Sequence, residues 1–173
     1  MKTNYLQLAA GCLLLTFAAC QSAMNTAELD ANKQAFRDFL AAIDESKGIP
    51  ASFLTEDAKI HYGGMPEMDV AGYQEMGNMM YAAFPNLKHE VVEILAEGDM
   101  IAARVKVWGT HNGPFQGMPA TGNSIEFMVN SIAHYKDGKA YDICSEFNLA
   151  HLMAQVSPPM EAPTGTTAEE GSM

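Results

Sequence analysis

Residues 108–122 of this chain read WGTHNGPFQGMPATG, a stretch that combines turn-forming residues with one histidine and one tryptophan. The residues before it, 101–107, read IAARVKV and place an apolar side chain at every second position, which predicts a β-strand. Continuing that alternation puts Gly109 and His111 on the same inward face as Val105 and Val107, with Trp108 on the opposite face. The pattern therefore predicts a strand that delivers an imidazole to a glycine-rich loop at the rim of a pocket.

The N-terminal stretch is typical of an export signal. Lys2 gives a basic start, residues 5–19 are largely apolar, and Ala18 and Ala19 precede Cys20, which resembles a bacterial lipobox. The apolar run is short for a membrane span and fits a signal peptide. We expect residues 1–19 to be removed and Cys20 to be lipidated, and the alternative is ordinary secretion with Cys20 unmodified. The expected location is the bacterial cell envelope, facing the periplasm or on the cell surface.

Charge and cysteine content narrow the possible partners. The formal net charge is −11, and loss of residues 1–19 would remove Lys2 and no acid, giving −12. Such a chain is repelled by nucleic acids and by anionic headgroups, so membrane attachment is expected through the lipid anchor alone. Cys144 would be the one thiol left besides Cys20, so no disulfide is expected within the domain.

The first half of the chain predicts helices. Asn25 and Glu28 have capping-box spacing, and an apolar stripe at helical spacing follows before Gly48 and Pro50 end the helix. The members of that stripe are Phe36, Phe39, Leu40 and Ile43. Residues 50–54 predict a helical turn, and residues 58–62 a short extended segment. Asp69 is expected to cap a second helix whose methionine-rich face is either adaptable core or the wall of a pocket.

The second half predicts β-structure. Four strands are expected over residues 88–96, 100–111, 123–136 and 139–148, with hairpin turns at Gly98 and Gly138. A last helical turn is expected over 151–156. Helices followed by an antiparallel meander predict an α+β domain over residues 28–156, with amphipathic helices on a curved antiparallel sheet of about four strands. Residues 20–27 would form a tether, and 157–173 a disordered tail.

The loop and its surroundings resemble the SnoaL-like polyketide cyclase, or ester cyclase, family. The resemblance rests on the pattern GTHxGxFxGMPxTG over 109–122, on AFPNL at 83–87, on AEGDMIAA at 96–103, and on DGK at 137–139. It implies the nuclear transport factor 2-like cone, whose pocket lies at one end. It also implies intramolecular ring closure by acid/base chemistry, without metal or cofactor.

The residues of the last predicted strand differ from those of that family. Members of the family tend to carry a tryptophan in this strand and, four residues on, an aspartate that serves as the acid/base. This chain has Cys144 and Asn148 at these positions. An asparagine amide orients a carbonyl but does not exchange a proton near neutral pH. His111 remains as a candidate general base or oxyanion donor, or as a structural histidine that ties the loop to a strand. Glu146, two residues before Asn148, is a candidate replacement acid.

Further polar and apolar residues are candidates for ligand contact. The substrate-binding candidates are Asn148, Phe115, Met80, His134 and His61. No histidine makes metal-ligand spacing with another ligand residue, so no metal and no cofactor are expected. The expected partner is a small apolar or carbonyl-containing molecule, and two copies of the chain could pair through the sheet. The sequence therefore predicts a SnoaL-like cyclase or isomerase, or alternatively a non-catalytic small-molecule-binding lipoprotein.

Overall fold

A computed structural model describes residues 26–157 of the chain. The predicted signal peptide, the lipidation site Cys20, the capping residue Asn25 and the tail from residue 158 onward lie outside the described residues. Within residues 26–157, no helix combines the length and the apolar character that a membrane span requires. The predictions for export and anchoring therefore stay predictions.

Two long helices form one layer of the domain. Helix α1 covers residues 26–46 of the described part and buries Phe36, Phe39 and Ile43, as its apolar stripe predicts. Its end differs slightly from the prediction, because Lys47 rather than Gly48 adopts the left-handed conformation, with φ of 54°. Helix α2 spans Val70–Ala83, and the Asp69 side chain accepts a hydrogen bond from the Gly72 amide, which confirms the predicted cap.

Two shorter helical segments complete the helical content of the described residues. A 3₁₀ turn at Ala51–Phe53 confirms the helical turn predicted after Pro50. Helix α3 spans Leu149–Val156, so it begins two residues earlier than expected. The reason is Asn148, whose side chain accepts a hydrogen bond from the His151 amide at 2.9 Å and starts the helix there.

The sheet of the described residues has five strands, where about four were expected. They are β1 Leu54–Tyr62, β2 Lys88–Glu97, β3 Met100–Thr110, β4 Ser124–Lys136 and β5 Lys139–Phe147, in the spatial order β1-β5-β4-β3-β2. The expected antiparallel sheet is in fact mixed, because β1 pairs parallel to β5. The extended segment predicted over residues 58–62 is the second half of β1, whereas its first half was not predicted, because the pairing is irregular between Leu54 and Lys59 and breaks the apolar alternation.

The inward face of β3 is the one predicted. Its alternate residues from Ile101 to Gly109 are buried, and His111 continues that face just after the strand with no exposed surface. Trp108 lies on the opposite, outer face, where it is 37% exposed.

The inward face of β4 does not carry His134, which was one of the candidates for ligand contact. Cross-strand pairing shows which residues of β4 face inward. Val129 pairs with the buried Val105 of β3, whereas Ile132 pairs with Ala102 on the outer face. Met128, Ile132 and His134 therefore lie on the outer face. Leu95, which is 73% exposed, lies on the same face, and the predicted pairing of two copies through it stays a prediction.

Candidate functional site

An apolar cavity of about 250 Å³ opens between α2, the 109–122 loop and the end of β5. Its lining residues are Tyr62, Gly63, Met65, Met76, Met79, Met80, Ala82, Pro114, Phe115, Gln116, Phe147 and Leu149. None of these side chains carries a formal charge. Larger depressions lie on the outer face of the sheet and beside Asn32 and Tyr135, but all of them are lined partly by charged residues. The uncharged apolar cavity is therefore the better small-molecule site.

The methionine-rich face of α2 forms one wall of this cavity. Met76, Met79 and Met80 all line it, and Met76 also belongs to the buried core, so the face has the character of both alternatives. Met80 and Phe115 are the two substrate-binding candidates that line the cavity. Long unbranched methionine side chains adapt to irregular apolar ligands, so this wall suits a ligand without a fixed polar pattern.

The loop that closes the other side is docked on the end of α2. The amides of Asn112 and Gly113 both donate to the carbonyl oxygen of Ala83 at 3.0 Å. Beyond this point the chain turns at Gln116 and Gly117, which have φ of 49° and 81°, and Phe115 pairs with Met118 across the turn. The docking places Phe115 over the cavity, as the predicted pocket rim requires.

A small inner chamber of about 40 Å³ lies deeper between the helices and the sheet. It shares Tyr62, Met76 and Met80 with the main cavity, so these side chains form the partition between the two spaces. Its far side includes Tyr81 and His89. A water molecule needs roughly 10–15 Å³ of such space, so the chamber can hold one small polar group.

His111 is buried at the base of the loop and lines neither space. Its backbone amide donates to the Asn123 carbonyl, its own carbonyl accepts from Gly122, and its Nδ1 lies 2.9 Å from Thr121 Oγ1. Phe84 and Phe115 pack against the ring, with centroid distances of 5.5 and 6.5 Å. These contacts favour the structural interpretation, in which the imidazole ties the loop to the start of β4.

The second ring nitrogen of His111 constrains its tautomer. Nε2 is buried and has no hydrogen-bond partner among the described residues. An unpaired N–H is costlier and rarer in protein interiors than an unpaired acceptor lone pair. We therefore assign the proton to Nδ1, which donates to Thr121 and leaves Nε2 as a bare acceptor behind the two phenylalanine rings.

Glu146 and Asn148 lie outside the cavity, which corrects the expectation that they point into it. Glu146 is exposed on the outer face of β5, because the inward positions of that strand are Ile143 and Ser145. Asn148 follows the last strand residue and uses its side-chain oxygen to cap α3. Both residues line a groove on the outer face instead.

His134 and His61 also lie outside both spaces. The His134 ring on the outer face has Nδ1 3.4 Å from Asp99 Oδ1. His61 pairs through Nε2 with Glu67 Oε2 at 3.3 Å, and it is Tyr62, the next residue, that reaches the cavity because successive strand residues point to opposite faces. Neither histidine is placed to contact a ligand in the cavity.

Sequence reasoning missed a polar network at the inner end of this site. His89, at the start of β2, places Nδ1 2.7 Å from Asp44 Oδ1, and its amide donates to Asp44 Oδ2 at 3.2 Å. The Tyr81 hydroxyl donates to the same carboxylate at 3.1 Å, and Lys88 Nζ lies 3.9 Å from it. Asp44 and His89 are 45 residues apart and follow no motif, although Asp44 follows the apolar stripe of α1 directly.

The protonation states of the groups around the cavity follow from their surroundings. Burial alone would raise the pKa of Asp44, but the hydrogen bonds from His89 and Tyr81 outweigh it and hold that pKa below the ordinary value. Asp44 is therefore ionised at neutral pH. Burial raises the pKa of Tyr62 to about 12, so the Tyr62 hydroxyl stays neutral. Within residues 26–157, no three histidine, cysteine or carboxylate side chains form a cluster that could hold a metal ion.

Comparison with known proteins places this geometry in a family. The family model of the SnoaL-like polyketide cyclases matches residues 34–156. AclR from Streptomyces galilaeus, a candidate hydroxylase, is 25% identical with a TM-score of 0.68, covering 74% of this chain and 96% of its own. IdmH from Streptomyces antibioticus, a candidate polyketide cyclase, is 23% identical with a TM-score of 0.64, covering 72% and 96%.

A more distant solved structure shares the fold alone. An epoxide hydrolase from M. tuberculosis of the LEH-like type is 14% identical with a TM-score of 0.59, covering 75% of this chain and 91% of its own. The comparison with curated proteins gave no match.

Helices on a curved five-stranded sheet, with an apolar cavity at the edge of a docked loop, define an α+β protein of the nuclear transport factor 2-like fold. The family match covers most of the described residues and confirms the resemblance carried by the 109–122 loop. The chain belongs to the SnoaL-like polyketide cyclase family.

Proposed function

We propose that this protein binds a small, largely apolar carbonyl compound in the 250 Å³ cavity and carries out cofactor-free acid/base chemistry on it, either cyclisation or isomerisation. The observation that carries the proposal is the cavity itself, which is uncharged and walled by methionines and aromatic rings. Known small-molecule sites have volumes of about 300–1,000 Å³, so this cavity, at about 250 Å³, lies just below that range. A dry cavity of about 150 Å³ holds benzene, which makes a ligand of one or two rings the best fit here.

A second function, binding without turnover, is supported by the placement of the expected catalytic groups. Asn148 stands where the family's aspartate would be and caps a helix, Glu146 faces outward, and His111 is sealed behind phenylalanine rings. In this alternative the protein carries or sequesters the compound in the cell envelope.

The ligand site is tested by filling the cavity. Met80→Trp adds a bulky ring to the wall shared by both spaces and should weaken binding of naphthalene or 1-tetralone at least tenfold, measured by calorimetry on the purified protein. Met128→Trp is the matched control, because it places the same ring on the outer face of β4 and should change the affinity less than twofold. Equal affinities in the two variants would show that the compounds bind elsewhere.

We also propose that the mature protein is attached to the cell envelope through a lipid on Cys20, and the support is the lipobox-like sequence before it. Mass spectrometry of the membrane fraction should show an N-terminal Cys20 carrying acyl chains. Cys20→Ser should abolish that modification, whereas Cys144→Ser, in β5, should leave it intact. A mature protein without acyl chains on Cys20 would support ordinary secretion instead.

A further inference from the structure

The inner chamber ends on a histidine with one free ring nitrogen. His89 Nδ1 is bonded to Asp44, and its Nε2 has no hydrogen-bond partner among residues 26–157. The ring lines the inner chamber together with Tyr81, Leu87 and Val107. Because ionised Asp44 can only accept hydrogen bonds, the proton of the neutral ring lies on Nδ1, and Nε2 is left as a bare acceptor.

We propose that His89 Nε2 is the proton acceptor of this cavity, and that its ligand is a one- or two-ring ketone whose carbonyl end enters the inner chamber, with the C–H next to the carbonyl facing Nε2. The inference rests on the proposed function, because it supplies the titrating group that acid/base chemistry in this cavity needs. Asp44 acts as a positioning residue, which holds the imidazole through Nδ1 and stabilises the imidazolium.

The two histidines that could serve as a base differ in access. Both His111 and His89 have Nε2 as the unpaired nitrogen, but His111 has no exposed surface and lies behind Phe84 and Phe115. The His89 side chain is 14% exposed and lines a chamber that shares Tyr62, Met76 and Met80 with the main cavity. Two of these three side chains are methionines, which change rotamer readily, so their movement would open a path from the cavity to His89.

The proposed proton transfer involves only the ligand and the His89 ring. Nε2 takes the proton from the carbon next to the carbonyl, and the C–H electron pair forms the double bond of an enolate whose charge lies on oxygen. The imidazolium is held by the Asp44 carboxylate, which also accepts hydrogen bonds from the His89 amide and Tyr81. The ring then returns a proton to the ligand carbon, so no oxidant, reductant or second substrate is consumed. Lys88 Nζ lies 3.9 Å from Asp44 Oδ2 and adds a positive charge to this network.

The test follows deuterium uptake by 1-tetralone, whose hydrogens next to the carbonyl exchange slowly in neutral D₂O. The wild-type protein should accelerate uptake over buffer, and His89→Gln should lower that catalysed rate by about 100-fold while changing the calorimetric Kd less than threefold, as loss of a general base requires. Asp44→Asn should lower the rate by a smaller factor. His61→Gln is the matched control, since His61 lies outside both spaces, and should exchange like wild type.

The outcomes separate this inference from the proposed function. If 1-tetralone binds but the wild-type protein does not accelerate exchange, or if His89→Gln exchanges as fast as wild type, the role of His89 is overturned and the cavity stands as a binding site. If neither 1-tetralone nor naphthalene binds, both proposals fail together. Should His89→Gln not fold, histidine ¹⁵N NMR of the wild type decides: 1-tetralone should shift the His89 Nε2 signal, and an unchanged signal overturns the inference.

Discussion

Replacing Phe84 by alanine should lower the free energy of unfolding by about 3–5 kcal/mol, the range for truncating a fully buried phenylalanine. Phe84 has no exposed surface and lies at the junction of α2 and the 109–122 loop. Its ring packs against His111 and, edge-on at 5.1 Å, against Phe115. The truncation would remove the packing that holds both the buried histidine and the cavity lid, so the loop cannot close the space without leaving a void.

Urea unfolding followed by circular dichroism measures this loss. Trp108→Ala is the control, because it removes a larger ring from a position 37% exposed on the outer face and should cost about 1 kcal/mol or less. If Phe84→Ala were no more costly than Trp108→Ala, Phe84 would not be the packing centre of this site.

Gly113→Ala should destabilise the protein by about 3 kcal/mol, at the upper end for overpacking a tight site. A Cβ at this position would overlap the carbonyl oxygen of Ala82 and lie 3.2 Å from Ala83 Cα. Both obstacles are backbone atoms at the end of α2, so no side-chain rotation relieves them. The loop would have to move off the helix, with loss of the two hydrogen bonds from residues 112 and 113 to Ala83.

A second glycine of the same loop provides a control that distinguishes the effect of close contact on stability from the effect of backbone strain. Gly122 has φ of 73°, but a Cβ added there meets nothing within 4 Å. Gly122→Ala should therefore cost only about 1 kcal/mol, the penalty of a left-handed alanine. Gly113→Ala should also weaken ligand binding, because displacement of the loop carries Phe115 away from the cavity. Equal stability losses in the two variants would mean that the loop is not closely docked on α2.

Much of the domain could be predicted because its elements carry local patterns. The buried stripe of α1, the Asp69 cap and the bounds of β2–β5 follow from spacing that each segment shows by itself. The methionine wall of α2 and the position of Phe115 over the cavity could also be anticipated from the helix face and the loop. Only the 58–62 half of strand β1 could be predicted, because the irregular pairing between Leu54 and Lys59 interrupts the alternation on which the prediction depends.

The sequence by itself determined the family, the order of the elements and the inward position of His111, because these depend on short motifs and on the two- and 3.6-residue periods of strand and helix. The tertiary structure alone decided which apolar face of β4 turns inward, since cross-strand partners set that choice. It also decided that Glu146 and Asn148 lie outside the cavity, and that Asp44 meets His89 across 45 residues. Contacts of that range leave no local pattern, because they arise only when a helix and a strand pack together.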